Sequence, residues 1–109
     1  MRRINLYMLD IEVGYLNECN NSYEFTANSF GLNEVSEKYP FQLRMFKLNR
    51  EGTKVYNELP YPFNEFLGYV GRRDLDEKAG INQNDSDFDK IYKLAALDMV
   101  TPVFSIKQA

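Results

Sequence analysis

Apolar and polar residues alternate along the first third of the chain, which is typical of strands with one buried face. Residues 4–9 alternate in this way, and a second strand runs over residues 11–18 after a turn near Asp10. The dipeptide Asn20-Asn21 marks the next turn, and residues 23–27 alternate again. The pattern predicts a three-stranded antiparallel meander with one buried face.

The middle of the chain carries weaker patterns. Residues 28–40 mix Asn, Ser, Gly and charged side chains, and they predict a loop with space for one short helical turn. Residues 41–48 alternate once more and predict a fourth strand. Residues 49–52 then predict a turn, followed by a short extended segment around Val55 and Tyr56.

Helical spacing replaces alternation after Pro60 and Pro62. Pro62 suits the first turn of a helix, whose apolar face would consist of Phe63, Phe66, Leu67 and Val70. Gly71 would end that helix, and residues 72–78 predict a second one that stops at Gly80, a residue suited to a left-handed C-terminal cap. The segment is therefore predicted to be a helix–loop–helix.

A further helix and a closing strand complete the predicted fold. Ser86 and Asp89 are three residues apart, as in a capping box, and the helix that follows has the apolar stripe Phe88, Ile91, Tyr92, Ala95 and Ala96. Pro102 precedes a final strand over residues 103–106. The order predicts an α+β fold: a small antiparallel meander, then a helix–loop–helix, a further helix and a closing strand, in a single domain over residues 1–109.

Composition and charge narrow the classes of function. The 109 residues carry a net charge of −3 and have a pI of about 4.9, which argues against nucleic-acid binding through bulk positive charge. Cys19 is the only cysteine, so no internal disulfide can form, which fits a reducing compartment. We see neither a signal peptide nor an apolar run near the roughly 20 residues of a membrane span. We therefore expect a soluble cytoplasmic protein with no membrane partner.

The sequence lacks the residues of the commonest catalytic sites. It has no histidine, which removes the commonest general base and metal ligand. Asp85, Asp87 and Asp89 alternate as in a calcium loop, but Lys90 and Ala96 occupy the positions where that loop needs glycine and glutamate. Acidic residues at a helix start are favoured by the helix dipole. We expect no enzymatic activity, metal or cofactor; a small enzyme with a catalytic carboxylate pair is the weaker alternative.

Residues 68–73, GYVGRR, place two glycines around two residues and before two arginines. They lack the Gly-Lys-Ser/Thr ending of a phosphate-binding P-loop. The pattern is similar to the Gly-x-x-Gly clamp of RNA-binding KH domains, so a small nucleic-acid-binding protein is the alternative function. The simpler interpretation is that Gly68 and Gly71 turn the chain between two helices, with Arg72 and Arg73 solvated.

The order of segments resembles the N-terminal subdomain of HipA-type toxin kinases over residues 4–106. The opening INLYMLDIEVGYLNE is similar to the first hairpin of that family, with a valine-glycine-x-leucine motif at Val13, Gly14 and Leu16. SYEFTANSF is similar to the third strand, and PFQLRMF lies where the family has another strand.

The second half of the chain continues this resemblance. FNEFLGYVGRRDLDEKAGI is similar to the helix–loop–helix of the family, NDSDFDKIYKLAAL to its next helix and VTPVFSI to its closing strand. The matching residues of the helix–loop–helix are Phe63, Phe66, Leu67, Arg72, Arg73 and Gly80. This chain departs from the family at Gly68, where a proline is usual.

The resemblance implies a detached form of that subdomain. The ATP-binding and catalytic motifs of the kinase are absent from the sequence, so no kinase role is implied. In tripartite HipBST systems, a small HipS protein that looks like this subdomain is the antitoxin of a shortened kinase, HipT, alongside the DNA-binding HipB. The resemblance thus implies an antitoxin that binds a HipT-like kinase, with a HipB-like protein as a further partner in a ternary complex.

Aromatic residues and arginine dominate the energetics of protein interfaces, and both are frequent in residues 61–73. We therefore predict the kinase contacts to be Tyr61, Phe63, Tyr69, Arg72 and Arg73. The helical spacing of Phe63 also suits a core position, so both assignments of that residue stay open at this point.

Overall fold

The computed structural model of the protein describes residues 2–46, 48–97 and 99–109. This part of the chain forms a five-stranded sheet in the order β4-β3-β2-β1-β5, in which all neighbouring strands are antiparallel. The strands are β1 (Arg3–Met8), β2 (Ile11–Cys19), β3 (Ser22–Ala27), β4 (Thr53–Tyr56) and β5 (Phe104–Gln108). The predicted α+β class and the three-stranded meander are confirmed.

The two turns of the meander are short and left-handed. Leu9 and Asp10 join β1 to β2 with φ values of 50° and 69°, and Asn20 and Asn21 join β2 to β3 with φ values of 39° and 66°. Two consecutive residues with positive φ fit the right-handed twist of the strands that they connect. Asn and Asp tolerate this conformation well, which is why the sequence identifies both turns.

The helical elements are α1 (Ser29–Lys38), α2 (Pro40–Met45), a 3₁₀ helix (Phe63–Tyr69), α3 (Arg73–Ala79) and α4 (Asp87–Ala95). Helix α4 contacts β1, β5 and the 3₁₀ helix, whereas α1 contacts β2. The predicted helix–loop–helix corresponds to the 3₁₀ helix and α3. Gly80 ends α3 with φ 76°, and the Ser86 side chain accepts a hydrogen bond from the Asp89 amide at the start of α4, as predicted.

The core lies between one face of the sheet and the helices. Ile4, Leu6 and Met8 are fully buried on that face. The ring of Phe63 packs against Phe25 of β3 at 5.8 Å between centroids, and Phe88 of α4 packs against Tyr23 at 6.2 Å. Burying several aromatic rings on one sheet face contributes a large share of the apolar surface removed from water.

The prediction of a strand over residues 41–48 is wrong for its described residues, and Lys47 lies outside the described part of the chain. Pro40 is the first residue of α2, where its fixed φ and missing N–H suit a helix start. Of the alternating residues only Leu43 is buried, whereas Phe41 and Met45 are 74% and 73% exposed. Alternation over so few residues does not distinguish a strand from one and a half helical turns, because residues four apart also share a helix face.

The prediction of a loop over residues 28–40 is also wrong in its main part, because α1 occupies ten of these positions. The Asn28 side chain caps α1 by accepting a hydrogen bond from the Gly31 amide at 3.2 Å. Leu32 and Val35 then bury one face of the helix. Gly31 allows the helix to approach β2 closely, since a Cβ at this position would overlap the carbonyl oxygen of Glu12.

Candidate functional site

An open apolar groove of about 490 Å³ lies between the 3₁₀ helix and the segment that leads into β5. It is lined by Phe46, Tyr61, Pro62, Glu65, Phe66, Gly68, Tyr69, Arg72, Thr101, Pro102, Val103 and Phe104. We call it the aromatic groove. Three distant parts of the sequence meet here, because the pairing of β5 with β1 brings the end of the chain beside the 3₁₀ helix.

Three rings in mutual contact form one end of the aromatic groove. Phe46 and Phe104 pack edge to face with centroids 5.1 Å apart, and Tyr61 packs edge to face on Phe104 at 6.0 Å. The rings of Phe46 and Tyr61 are nearly parallel, with centroids 6.4 Å apart. Aromatic pairs at these distances contribute roughly 0.5–1.5 kcal/mol each beyond their buried area. These mutual contacts stabilise the arrangement of the three rings.

Tyr61 combines packing with exposure. Its side chain stays 36% exposed although it contacts two rings. Partial burial raises the pKa of the Tyr61 hydroxyl, and the nearby charge of Glu65 raises it further. The Tyr61 hydroxyl, which lies on the lining of the aromatic groove, is therefore neutral at physiological pH and can donate a hydrogen bond.

Tyr69 and Arg72 also line the aromatic groove. The guanidinium carbon of Arg72 lies 5.4 Å from the centroid of the Tyr69 ring, a distance typical of a cation–π contact. Tyr69 is half-buried against Phe66, with ring centroids 6.2 Å apart, whereas Arg72 is exposed. The groove thus brings together three of the five predicted contact residues: Tyr61, Tyr69 and Arg72.

The other two predicted contacts lie elsewhere. Phe63 is completely buried under the sheet, so its ring cannot contact a partner while the protein is folded, and we remove it from the predicted contacts. Arg73 lines a separate cavity of about 400 Å³ together with Asp76 and Glu77. Its guanidinium Nε lies 3.3 Å from the Glu77 carboxylate, on the surface of α3.

The aromatic groove also includes residues that sequence reasoning missed. Phe46 and Phe104 form two of its three clustered rings, but they lie 58 positions apart. The sequence pattern places Phe46 in a predicted fourth strand and Phe104 in the predicted closing strand. A local pattern gives no signal that these two rings meet, because their contact depends on long-range strand pairing.

The GYVGRR segment, residues 68–73, contains a turn whose backbone hydrogen-bond donor at Gly71 has a partner within the chain. Gly71 has φ 97°, in the region that favours glycine. Its backbone amide donates to both carboxylate oxygens of Asp76, at 3.2 and 3.1 Å. A phosphate held by this amide would have to displace a carboxylate, so the geometry favours the role of a turn.

The acidic residues near α4 have partners within the fold. Asp85 accepts a hydrogen bond from the Asn82 amide at 2.9 Å and one from Lys93 Nζ at 2.6 Å. These two contacts hold the pKa of Asp85 below its usual value. Across residues 2–46, 48–97 and 99–109, no group of three acidic or cysteine side chains is arranged to hold a metal ion.

No helix in the described part of the chain is long and apolar enough to cross a membrane. A comparison with models of known protein families gives no match, and a search of curated proteins finds no significant relative.

Proposed function

We propose that this protein is a HipS-type antitoxin, which binds a HipT-type serine/threonine kinase in the cytoplasm and holds it inactive. It acts by binding and has no catalytic role of its own. A HipB-like DNA-binding protein is the further partner in a ternary complex.

The aromatic groove is the observation that carries the proposal. It is open, lined mainly by aromatic and other apolar side chains, and contains one arginine. Such a composition is typical of the centre of protein interfaces, where aromatic residues and Arg are enriched. The lining of this surface therefore favours a protein ligand over a polyanion.

Two exposed apolar side chains directly precede lining residues of the groove in the sequence. Met45 is 73% exposed and directly precedes Phe46, and Val100 is 68% exposed and directly precedes Thr101. Apolar side chains grouped around a groove favour an interaction site over random surface exposure. The contact with the kinase is therefore proposed to centre on Tyr61, Tyr69 and Arg72 and to reach these flanking residues.

The choice of a kinase as the partner depends on the resemblance in the order of segments. The α+β arrangement of a meander, helical segments and a closing strand is compatible with a detached HipA-type subdomain. A detached subdomain would reuse the surface that contacts the kinase core in the longer proteins, and exposed aromatic residues suit that purpose.

Co-expression with a shortened HipA-type kinase tests the proposal. We expect the protein to rescue growth that the kinase arrests and to co-purify with the kinase. The double variant Tyr61→Ala, Tyr69→Ala should lose both effects. Tyr7→Ala is the matched control, since Tyr7 lies on the opposite face of the sheet from Leu6 and Met8. Absence of rescue and of co-purification with the unmodified protein would refute the antitoxin role.

The nucleic-acid alternative has less support. The Gly71 amide is bound to Asp76, Arg73 lies beside Glu77, and the chain is acidic overall. Binding through phosphates would weaken steeply with salt. Fluorescence anisotropy with a labelled single-stranded RNA therefore separates the two functions: tight, salt-sensitive binding that Arg72→Ala with Arg73→Ala abolishes, with kinase binding intact, would favour the alternative.

A further inference from the structure

The aromatic groove carries opposite charges at two of its positions. Glu65 is exposed on the 3₁₀ helix and lies close enough to Tyr61 for its charge to affect that ring. Arg72 is exposed beyond the end of the same helix, over Tyr69. The Glu65 carboxylate therefore lies near the ring cluster of Phe46, Tyr61 and Phe104, and the Arg72 guanidinium lies near Tyr69.

Neither charge is neutralised by an ion pair among the described residues. The salt bridges formed there involve Arg2, Lys38, Arg73 and Lys93 as the bases and Glu18, Glu34, Glu77, Asp85 and Asp89 as the acids. Arg73 is an informative contrast, because it lies one residue from Arg72 but pairs with Glu77 outside the groove. Glu65 and Arg72 are thus exposed charges without an ion pair among the described residues.

The chemistry of the two positions differs in kind. Aromatic faces attract cations, and a neighbouring carboxylate strengthens that preference. Of the clustered rings Phe104 is only 4% exposed and Tyr61 is 36% exposed, so Tyr61 together with Glu65 suits a lysine ammonium or an arginine guanidinium. Arg72 offers a planar fork of donors that matches a carboxylate in a bidentate manner. The apolar side chains that line the rest of the groove suit an aliphatic or aromatic side chain.

We propose that the aromatic groove binds an extended protein segment that presents a basic side chain to Glu65 and Tyr61, an apolar side chain to the groove wall, and a carboxylate to Arg72. This inference rests on the proposed function in taking the segment to belong to the kinase. It goes further in assigning the chemistry of what the groove recognises.

Charge reversal tests the two charged positions, Glu65 and Arg72, separately. We expect Arg72→Glu and Glu65→Lys each to weaken kinase binding about tenfold or more, since truncating or reversing one member of an interface charge pair is costly. The matched controls Arg73→Glu and Glu77→Lys make the same charge changes outside the groove and should change the Kd by less than about threefold. Isothermal titration calorimetry gives the Kd, and circular dichroism with a thermal melt shows that each variant is folded.

A peptide selection tests the groove without the kinase. The probe is a displayed library of random eight-residue peptides, selected on the isolated protein. Enriched peptides should combine a basic, an apolar and an acidic residue in a constant order, and they should bind Arg73→Glu but not Arg72→Glu. Enrichment of this pattern supports the groove chemistry even if no kinase binds, an outcome that would refute the proposed function alone.

Three results would overturn the inference. In the first, no peptides are enriched and kinase binding is insensitive to Arg72→Glu or Glu65→Lys. In the second, peptides are enriched without any charge preference. The third is an equal loss of binding in the groove variants and in the two controls. That result would mean that overall charge governs binding and that the groove recognises no charge pattern.

Discussion

The Gly71 amide donates its hydrogen to the carboxylate of Asp76, which lies one turn inside α3. A side chain within the helix thus reaches back to satisfy a backbone donor ahead of the helix start, where N–H groups lack partners within the helix. This bond connects Gly71, which precedes α3, to Asp76 within α3. The turn in the GYVGRR segment is therefore stabilised by a contact within the chain and without a ligand.

Removing this carboxylate should loosen the turn. We expect Asp76→Ala to lower the free energy of unfolding by about 0.5–1.5 kcal/mol, the usual contribution of one hydrogen bond of this kind. Urea unfolding followed by circular dichroism measures the change. Asp74→Ala is the control, because Asp74 is exposed in the first turn of the same helix and should cost less. Equal losses in both variants would indicate a dipole effect alone.

Phe63 and Tyr61 should separate stability from binding. Phe63 is completely buried and Tyr61 is 36% exposed. Phe63→Ala should lower the free energy of unfolding by about 3–5 kcal/mol, because it leaves a large cavity in the core. Tyr61→Ala should cost only about 1–2 kcal/mol, through its lost ring contacts.

Binding should respond in the opposite order. Tyr61→Ala should weaken kinase binding strongly, whereas Phe63→Leu, which keeps most of the core volume, should leave the Kd nearly unchanged in the folded fraction. Urea unfolding and calorimetry on the same samples give both quantities. Our assignment of Tyr61 to the contact surface is wrong if its replacement reduces stability but leaves the Kd intact.

Two glycines should respond in opposite ways to the same substitution. A Cβ on Gly31 would overlap the Glu12 carbonyl oxygen, which is backbone and cannot move aside cheaply. Gly31→Ala should therefore destabilise the fold by about 1–3 kcal/mol or more by separating α1 from β2. A Cβ on Gly68 would meet nothing within 4 Å, so Gly68→Ala should be neutral or stabilise by up to about 1 kcal/mol. Thermal and urea unfolding compare the pair; similar effects would contradict the close α1–β2 approach.

Acid should weaken the contact between the N-terminal strand and α4. The ion pair with the Arg2 guanidinium holds the pKa of Asp89 below its usual value, assisted by Ser86. Because the folded-state pKa lies below the unfolded one, the folded state binds fewer protons in this range. The contribution of Asp89 to stability is therefore complete above about pH 4 and is lost as the pH falls through the lower folded-state value.

Asp89→Asn should accordingly flatten the acid side of the stability profile. Urea unfolding between pH 7 and pH 2 measures the slope for each variant. Asp87→Asn is the control, since Asp87 is exposed in the same first turn of α4 and should leave the slope largely unchanged. A steep acid slope that persists in Asp89→Asn would assign the loss to other carboxylates.

Local patterns were sufficient for the meander and for the helix ends. The alternation of Ile4, Leu6 and Met8 identifies the buried face of β1, and Asn20-Asn21 identifies a turn, because both signals act between neighbouring residues. Gly80 and Ser86 were predicted as caps for the same reason. Each of these features depends on backbone geometry that one or two side chains set.

Local patterns failed where burial decided the structure. Residues 41–48 alternate, yet residues 40–45 form α2, since only Leu43 of that pattern faces the core. The ten residues of α1 were missed because Gly31 suggests a loop in sequence, whereas in the fold it allows close contact with β2. Which face is buried depends on the partner element, and that information is not local.

The sequence by itself determined the α+β class, the meander, the turn at Gly71 and the choice of residues 61–73 as the segment of interest. Only the tertiary structure decided that Phe63 belongs to the core, that Arg72 and Arg73 line different cavities, and that Phe46 and Phe104 complete the aromatic groove. The physical reason is the range of the interactions. Turns and caps form within a few residues, whereas the groove exists because β5 pairs with β1 across nearly the whole length of the chain.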